Sequence, residues 1–289
     1  MLALGSVVLG YYSTVDRECL VTESVPEPGP AAVGVSAPTA ASGYVDEVFV
    51  SVQGEGVWVG VRQVFVRLSG CSLDCAYCDS PRSRRLTPAM LVHSAVPSEA
   101  EPIENPVPHG MLTTIIAQLA RGARLHSVAV TGGEPLLQSR FLAAWLPALR
   151  RRGCRVYLET AGYLPDRLAS VAHLVDHCAM DVKLPSSAGT PPLWERHRRF
   201  LEICRDHGIR TCVKAVVCAS TFRHEVAACA ELIRDAWPDV SLVLQPCTPA
   251  HRVLDAPGPS LLLDLQAVAL KHLRDVRVIP QAHKLMGAR

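Results

Sequence analysis

Three cysteines dominate the chemistry written in this chain. Cys71, Cys75 and Cys78 stand in Gly70-Cys71-Ser72-Leu73-Asp74-Cys75-Ala76-Tyr77-Cys78-Asp79-Ser80, spaced by three residues and then two. Three thiolates in so short a loop hold soft metal. A structural zinc site wants four closed ligands, and no second CxxC or HxxxH pair stands close by to complete one. An iron–sulfur cluster held by protein alone would need a fourth cysteine. Three ligands leave one iron open, which is what a reactive site requires. A second candidate is Thr131-Gly132-Gly133-Glu134-Pro135. Its glycines let backbone approach a ligand closely, and Glu134 adds a carboxylate acceptor.

The elements that position these residues follow from apolar patterning. β-like segments are expected at 64–69, 127–131, 155–159, 174–183, 209–218, 240–244 and 276–279. Helix-like segments are expected at 111–121, 139–152, 193–207, 222–237 and 260–274, the last capped by Ser260. This alternation predicts an α/β fold with a parallel sheet and helices outside it; spacing does not decide whether the sheet closes. The chemically capable residues follow the strands at their C-terminal ends: Cys71, the Gly132-Gly133-Glu134-Pro135 turn, Glu159, Asp181 with Lys183, and Gln245 with Pro246. That rim is where parallel α/β folds bind ligands.

Composition narrows the setting. The 289 residues carry 29 Lys and Arg against 27 Asp and Glu, a net charge of +2, which argues against a broad footprint for nucleic acid or anionic lipid. Eleven cysteines, an odd number dispersed over a long chain, do not make a secreted disulfide framework. No export signal and no run of 18 apolar residues is visible, so a reduced, cytoplasmic protein is expected. Cys154, Cys178, Cys204, Cys212, Cys218 and Cys229 read as small buried hydrophobes. Residues 22–43 are mostly Ala, Pro, Ser and Gly, so 1–43 is expected to be a disordered leader or linker ahead of one catalytic domain, 44–289. The segment 81–110, rich in Pro and acids, reads as a long surface loop.

With Tyr77 before the third cysteine and the Gly-Gly-Glu-Pro turn on the following strand, the pattern resembles the radical S-adenosylmethionine (SAM) superfamily. Further motifs sharpen this. They are Glu47 to Gly56 (EVFVSVQGEG), Phe65 to Cys71 (FVRLSGC), Cys78-Asp79-Ser80, Gln245-Pro246 and Val278 to Lys284 (VIPQAHK). Together they are similar to the 7-carboxy-7-deazaguanine synthase family, in family order over about 44–287. The resemblance implies a modified, incomplete TIM-like (β/α) barrel, a homodimer, and a radical rearrangement of 6-carboxy-5,6,7,8-tetrahydropterin with loss of ammonia, toward queuosine or another deazapurine. It implies a 4Fe-4S cluster on Cys71, Cys75 and Cys78, with SAM at Gly133, Glu134, Asp181, Val182, Lys183, Gln245 and Pro246. It places the pterin at Val52, Gln53, Gly54, Glu55, Arg67, Thr131 and His283, and Mg2+ at Ser80. An electron donor such as flavodoxin or ferredoxin is implied, with no nucleic acid and no membrane.

The residue types suit these roles. Gln53 and Glu55 can pair with the amide-like edges of a pterin, and Arg67 offers a planar fork to its carboxylate. Magnesium accepts a hydroxyl such as that of Ser80. Two departures stand out: Asp181-Val182-Lys183 replaces the family's usual Ser-Pro-Lys, and Ser80 replaces a Thr. Two alternatives stay open at this level. One is a glycyl-radical activating enzyme, which shares the cysteine and glycine motifs; the other is a noncatalytic metal-binding or Fe-S protein.

Overall fold

The computed structural model describes residues 40–93 and 102–289. Almost all of the expected leader lies outside the described residues. Its last positions, Ser42–Gly43, pair antiparallel with Val107–Pro108. The main sheet comprises β1 (Val45–Val52), β2 (Arg62–Leu68), β3 (Ala89–His93), β4 (Ile103–Glu104), β5 (Ser127–Gly132), β6 (Val156–Thr160), β7 (His177–Asp181), β8 (Arg210–Val217), β9 (Ser241–Pro246) and β10 (Val276–Val278). Its order is β10-β9-β8-β7-β6-β5-β2-β1-β3-β4. Strands β2 and β5 to β10 are mutually parallel, whereas β1 runs antiparallel to β2 and β4 to β3. Strands β10 and β4 form opposite edges, and no ladder joins them among the described residues. The sheet is therefore an open, incomplete barrel with TIM-like strand–helix alternation.

The connecting helices are α1 (His109–Leu119), α2 (Ser139–Arg151), α3 (Trp194–Asp206), α4 (Arg223–Ala236) and α5 (Pro259–Ala269). All seven parallel strands and all five helices stand where the sequence pattern puts them. The differences are local. Gly258, not Ser260, occupies the N-cap of α5, with Pro259 at the first helical position, and the helix stops at Ala269 rather than near 274. Proline's fixed φ and missing N–H suit that first position, so it sets the start. The segment expected as a strand over 174–183 is shorter, because Ala172–Leu174 form a helical turn before β7. The loop expected over 81–110 instead contains β3, β4 and the turn Pro81–Arg84, while 94–101 lie outside the described residues. Strand β1 has no place among the strands expected from sequence. Its alternating apolar residues overlap a motif and read as that motif alone.

Register explains how one sheet serves two purposes. Successive side chains point to opposite faces. One face carries Val64, Val66, Val128, Val130, Leu158, Val213, Ala215, Leu242 and Leu244, all buried in the principal core. Each fully buried Val or Leu there contributes roughly 1.5–3 kcal/mol. With stability supplied on that side, the opposite face is free to hold polar groups. In register across it stand Glu47, Arg67 and Thr131, then Glu159 beside Ala179, Asp181 beside Lys214, and Val216 beside Gln245. Beneath this layer, Phe49, Phe65, Ala129, Tyr157, Ala179 and Cys212 form a second, smaller apolar cluster.

Candidate active site

The cysteine loop leaves β2 and is fixed by its backbone. Gly70 N donates to Ser83 O (2.8 Å), Cys71 N to Arg84 O (3.0 Å) and Ala76 N to Ala188 O (2.7 Å). Asp74 is held from two sides, by Arg84 and Arg252, each at 2.8 Å. The result places Cys71, Cys75 and Cys78 on the wall of one cavity of about 440 Å³ at the C-terminal rim. All three are free thiols. Burial pushes the Cys71 thiol up to about 12 and raises Cys75 as well, so these two sulfurs stay protonated until a cation displaces the protons. Among the described residues no three His, Cys, Asp or Glu side chains converge on a single metal ion. Three sulfurs lining a common cavity instead fit a cluster, whose irons each take their own thiolate.

The glycine turn acts differently from expectation. A Cβ at Gly132 would collide with the Leu68 backbone, and one at Gly133 with the carbonyls of Gly70 and Ser83. The glycines are thus needed to let the turn dock against the start of the cysteine loop, where Gly133 N bonds Leu68 O (3.0 Å) and Glu134 N bonds Gly70 O (2.8 Å). The Glu134 carboxylate is buried beside the cavity and does not line it. It accepts from Leu136 N (3.0 Å), Thr160 Oγ1 (2.8 Å) and Ala161 N (2.9 Å), and burial raises its pKa. Its expected side-chain role as an acceptor for SAM is therefore not met; Gly133 alone of the pair lines the cavity.

Beside the cysteines lie Asp181, Lys183 and Gln245. Lys183 Nζ meets Asp181 Oδ2 at 3.0 Å and sits 5.2 Å from the centroid of the Tyr77 ring. Asp181 Oδ1 and Gln245 Oε1 are buried and have no protein partner. Both residues line the cavity, so two acceptors await a ligand that donates, as the ammonium and ribose hydroxyls of SAM do. Val182 is fully buried in the principal core and Pro246 does not reach the cavity, so these two expected contacts are not brought in.

The opposite wall is built from residues far apart in the chain. Arg67 Nε pairs with Glu47 Oε1 (2.8 Å), while Nη1 reaches toward Ser80 Oγ (3.4 Å). Arg289 binds the other oxygen of Glu47 at 2.9 Å, and both Ala288 and Arg289 line the cavity. Glu55 is ion-paired with Lys214 and accepts from Gln281 Nε2 (2.7 Å). Burial alone would push the Glu55 carboxyl up, but Lys214 and Gln281 outweigh it and hold the pKa below the usual carboxylate value. Gln281 Nε2 also reaches Asp79 Oδ2 (3.1 Å), which Lys284 binds at 2.8 Å. A Cβ on Gly54 would strike the His283 ring, and Ala282 N donates to Gly54 O (2.9 Å), so the two motifs lie in direct contact.

Gln53 corrects another expectation. Its amide donates to Glu159 Oε1 (2.7 Å) and Gln63 Oε1 (3.0 Å) and accepts from Glu55 N (3.0 Å). With both protons engaged, it orients Glu159 rather than pairing directly with a pterin edge. Val52, Gln53, Gly54, Glu55, Arg67, Ser80, Thr131 and His283 nevertheless all line the cavity. Sequence reasoning missed Lys214, Glu47 and Asp79 as members of the site. A signal for Lys214 existed: it is one of only four lysines and interrupts an otherwise apolar stretch, Cys212 to Val217. The other cysteines stand as expected, with Cys178, Cys204, Cys212, Cys218 and Cys229 buried and Cys154 partly so. No helix of the described residues is long and apolar enough to cross a membrane.

An open parallel barrel presenting three thiols and unpartnered acceptors at its C-terminal rim defines a radical SAM enzyme, and residues 65–233 match the radical SAM superfamily. Such an enzyme holds a 4Fe-4S cluster and SAM. The 7-carboxy-7-deazaguanine synthase of Geobacter sulfurreducens is 40% identical over 245 residues, 84% of this chain and 96% of that one. The synthase of Methanothermobacter thermautotrophicus is 35% identical over 260 residues, again 84% of this chain and 96% of its own. The chain belongs to the 7-carboxy-7-deazaguanine synthase family. The crystal structure of QueE from Escherichia coli shares its fold, with TM-score 0.54 and 20% identity, covering 84% of this chain and 95% of that one. These relatives favour the synthase reading over a glycyl-radical activating enzyme or a noncatalytic metal-binding protein.

Proposed function

We propose that the rim cavity converts 6-carboxy-5,6,7,8-tetrahydropterin to 7-carboxy-7-deazaguanine with loss of ammonia. The observation that carries this reading is the convergence of three remote motifs on the cysteine cavity. One amide, that of Gln281, bridges Glu55 and Asp79. Cys71, Cys75 and Cys78 hold the cluster, and Gly133, Asp181, Lys183 and Gln245 hold SAM. When bound, these groups supply the radical that removes a hydrogen from the substrate.

The chain's own residues bind and orient. Arg67, pinned along its Nε edge by Glu47, keeps its Nη groups for the substrate carboxylate. Glu55, kept ionised, accepts N–H donors from the pterin edge, while Val52, Gly54, Thr131 and His283 complete the wall. Gln53 acts by aiming Glu159. Ser80 Oγ, engaged only at 3.2 Å with Asp79 Oδ1 and 3.4 Å with Arg67 Nη1, retains a lone pair for magnesium, whose remaining shell is water and substrate oxygen. Glu134, Val182 and Pro246 shape the site from behind.

The family resemblance adds a homodimer reduced by a flavodoxin or ferredoxin in a reduced, cytoplasmic setting. The test is anaerobic reconstitution with iron and sulfide, then incubation with SAM, reductant, magnesium and the carboxypterin. Formation of 7-carboxy-7-deazaguanine and ammonia without a partner protein is expected. SAM cleavage that consumes no pterin would overturn the substrate assignment.

A further inference from the structure

Lys214 belongs to none of the motifs that mark the site, yet it lines the cavity. It projects from β8, its side chain is only 7% exposed, and its ammonium is paired with Glu55. Asp181 lies beside it in register on β7, and Glu159 also acts on its charge. The other site carboxylates have their own holders: Asp181 has Lys183, Asp79 has Lys284, Glu47 has Arg67, and Glu159 has the Gln53 amide. Lys214 is thus the cation paired directly with Glu55, with Asp181 and Glu159 acting on it from further off.

A buried ion pair is weak grounds for stability, because desolvating both ions offsets most of their attraction. The pair therefore calls for another reason. Glu55 has Lys214 on Oε2 and Gln281 on Oε1, and Thr248 Oγ1 in turn fixes Gln281 Oε1 at 2.7 Å. A carboxylate clamped on both oxygens keeps one rotamer, with lone pairs left over for the cavity. An ionised carboxylate accepts only, so it reads an edge presenting two donors, such as the amino group and adjacent ring N–H of a pterin.

We propose that Lys214 is a positioning residue that sets specificity: it holds Glu55 ionised and aimed so that the site selects a donor–donor edge. This rests on the reading that Glu55 meets the pterin. The test compares Lys214→Met, Lys214→Arg, Glu55→Gln and the double variant Lys214→Met/Glu55→Gln as reconstituted holoenzymes. Lys214→Met is expected to raise KM for the carboxypterin about tenfold or more, as loss of a charged hydrogen-bonding arrangement does, with kcat nearly unchanged. Lys214→Arg should restore most of the affinity. On the Glu55→Gln background, Lys214→Met should add nothing, since the two act as one unit. That comparison also serves if the single Lys214→Met chain fails to fold.

The outcomes separate cleanly. If Glu55→Gln leaves KM unchanged, the placement of the pterin on Glu55 fails, and the inference falls with it. If Glu55→Gln raises KM but Lys214→Met does not, or the two effects simply add, the role of Lys214 alone is overturned.

Discussion

The two ends of the sheet's inner face treat charge in opposite ways. At the C-terminal rim, carboxylates and cations meet in pairs around a cavity, and two buried acceptors, Asp181 Oδ1 and Gln245 Oε1, are left without protein partners. At the N-terminal end, His177 is 1% exposed and lies among aromatic rings, with centroids 5.3 Å from Trp58 and 4.8 Å from His126. Burial lowers its pKa to about 4, and His126, Arg210 and Arg155 push in the same direction. At the rim, Glu55 and Asp79 are held ionised by cations beside them; at the far end, burial and three nearby basic groups outweigh Asp176 and keep an imidazole neutral. Polar residues inside this barrel thus serve ligands at one end and closure at the other. Variants at the rim should change kinetics more than stability, and variants at the far end the reverse.

The largest effect belongs to the cysteines. Cys75→Ala should abolish both cluster assembly and turnover, read as iron and sulfide content and as product; a variant that still cleaves SAM would remove Cys75 from the ligand set. Next comes Glu47→Gln, which frees the Arg67 edge. It should raise KM for the carboxypterin roughly tenfold, as expected for losing a charge-assisted hydrogen bond, while circular dichroism stays unchanged. An unaltered KM would mean that Arg67 needs no pinning.

The far end offers the reciprocal test. Unfolded, an imidazole titrates near 6.5, whereas folded His177 does so at about 4. Between these values the unfolded chain binds a proton that the folded chain refuses. The stabilising share of His177 is therefore complete above about pH 6.5 and is lost as pH falls toward 4. Replacing His177 by Leu should flatten the stability profile in that window, measured by denaturant titration, with KM and kcat preserved. A kinetic defect would break the division between the two ends.

Smaller effects follow at the margins. Ser80→Ala should weaken the response to magnesium by a few-fold, and an unchanged response would take Ser80 out of the metal site. Removing residues 1–39, part of the stretch whose composition reads as a leader, should leave turnover, measured as product formed, within about twofold.

Legibility in the sequence follows the same divide between local and remote. The cysteine loop was readable because its three ligands fall within eight residues, and the seven parallel strands because buried strands are runs of Val, Leu and Ala. Strand β1 hid beneath its own motif, and β3 beneath flanking prolines. The substrate wall was harder, because its contacts join residues 159 and 226 positions apart in the Lys214–Glu55 and Gln281–Glu55 pairs. Residue types alone could not tell whether Glu134 and Gln53 face a ligand or a neighbour; only their hydrogen-bond partners decide it.

The central claim is that three cysteines at the rim leave one corner of a cluster for SAM. Electron paramagnetic resonance of the reduced, anaerobically reconstituted protein, with and without SAM, tests it most directly. A 4Fe-4S signal that changes on adding SAM and is lost in Cys75→Ala is predicted. A signal indifferent to SAM, or a site filled by a metal fully ligated by side chains, would contradict it.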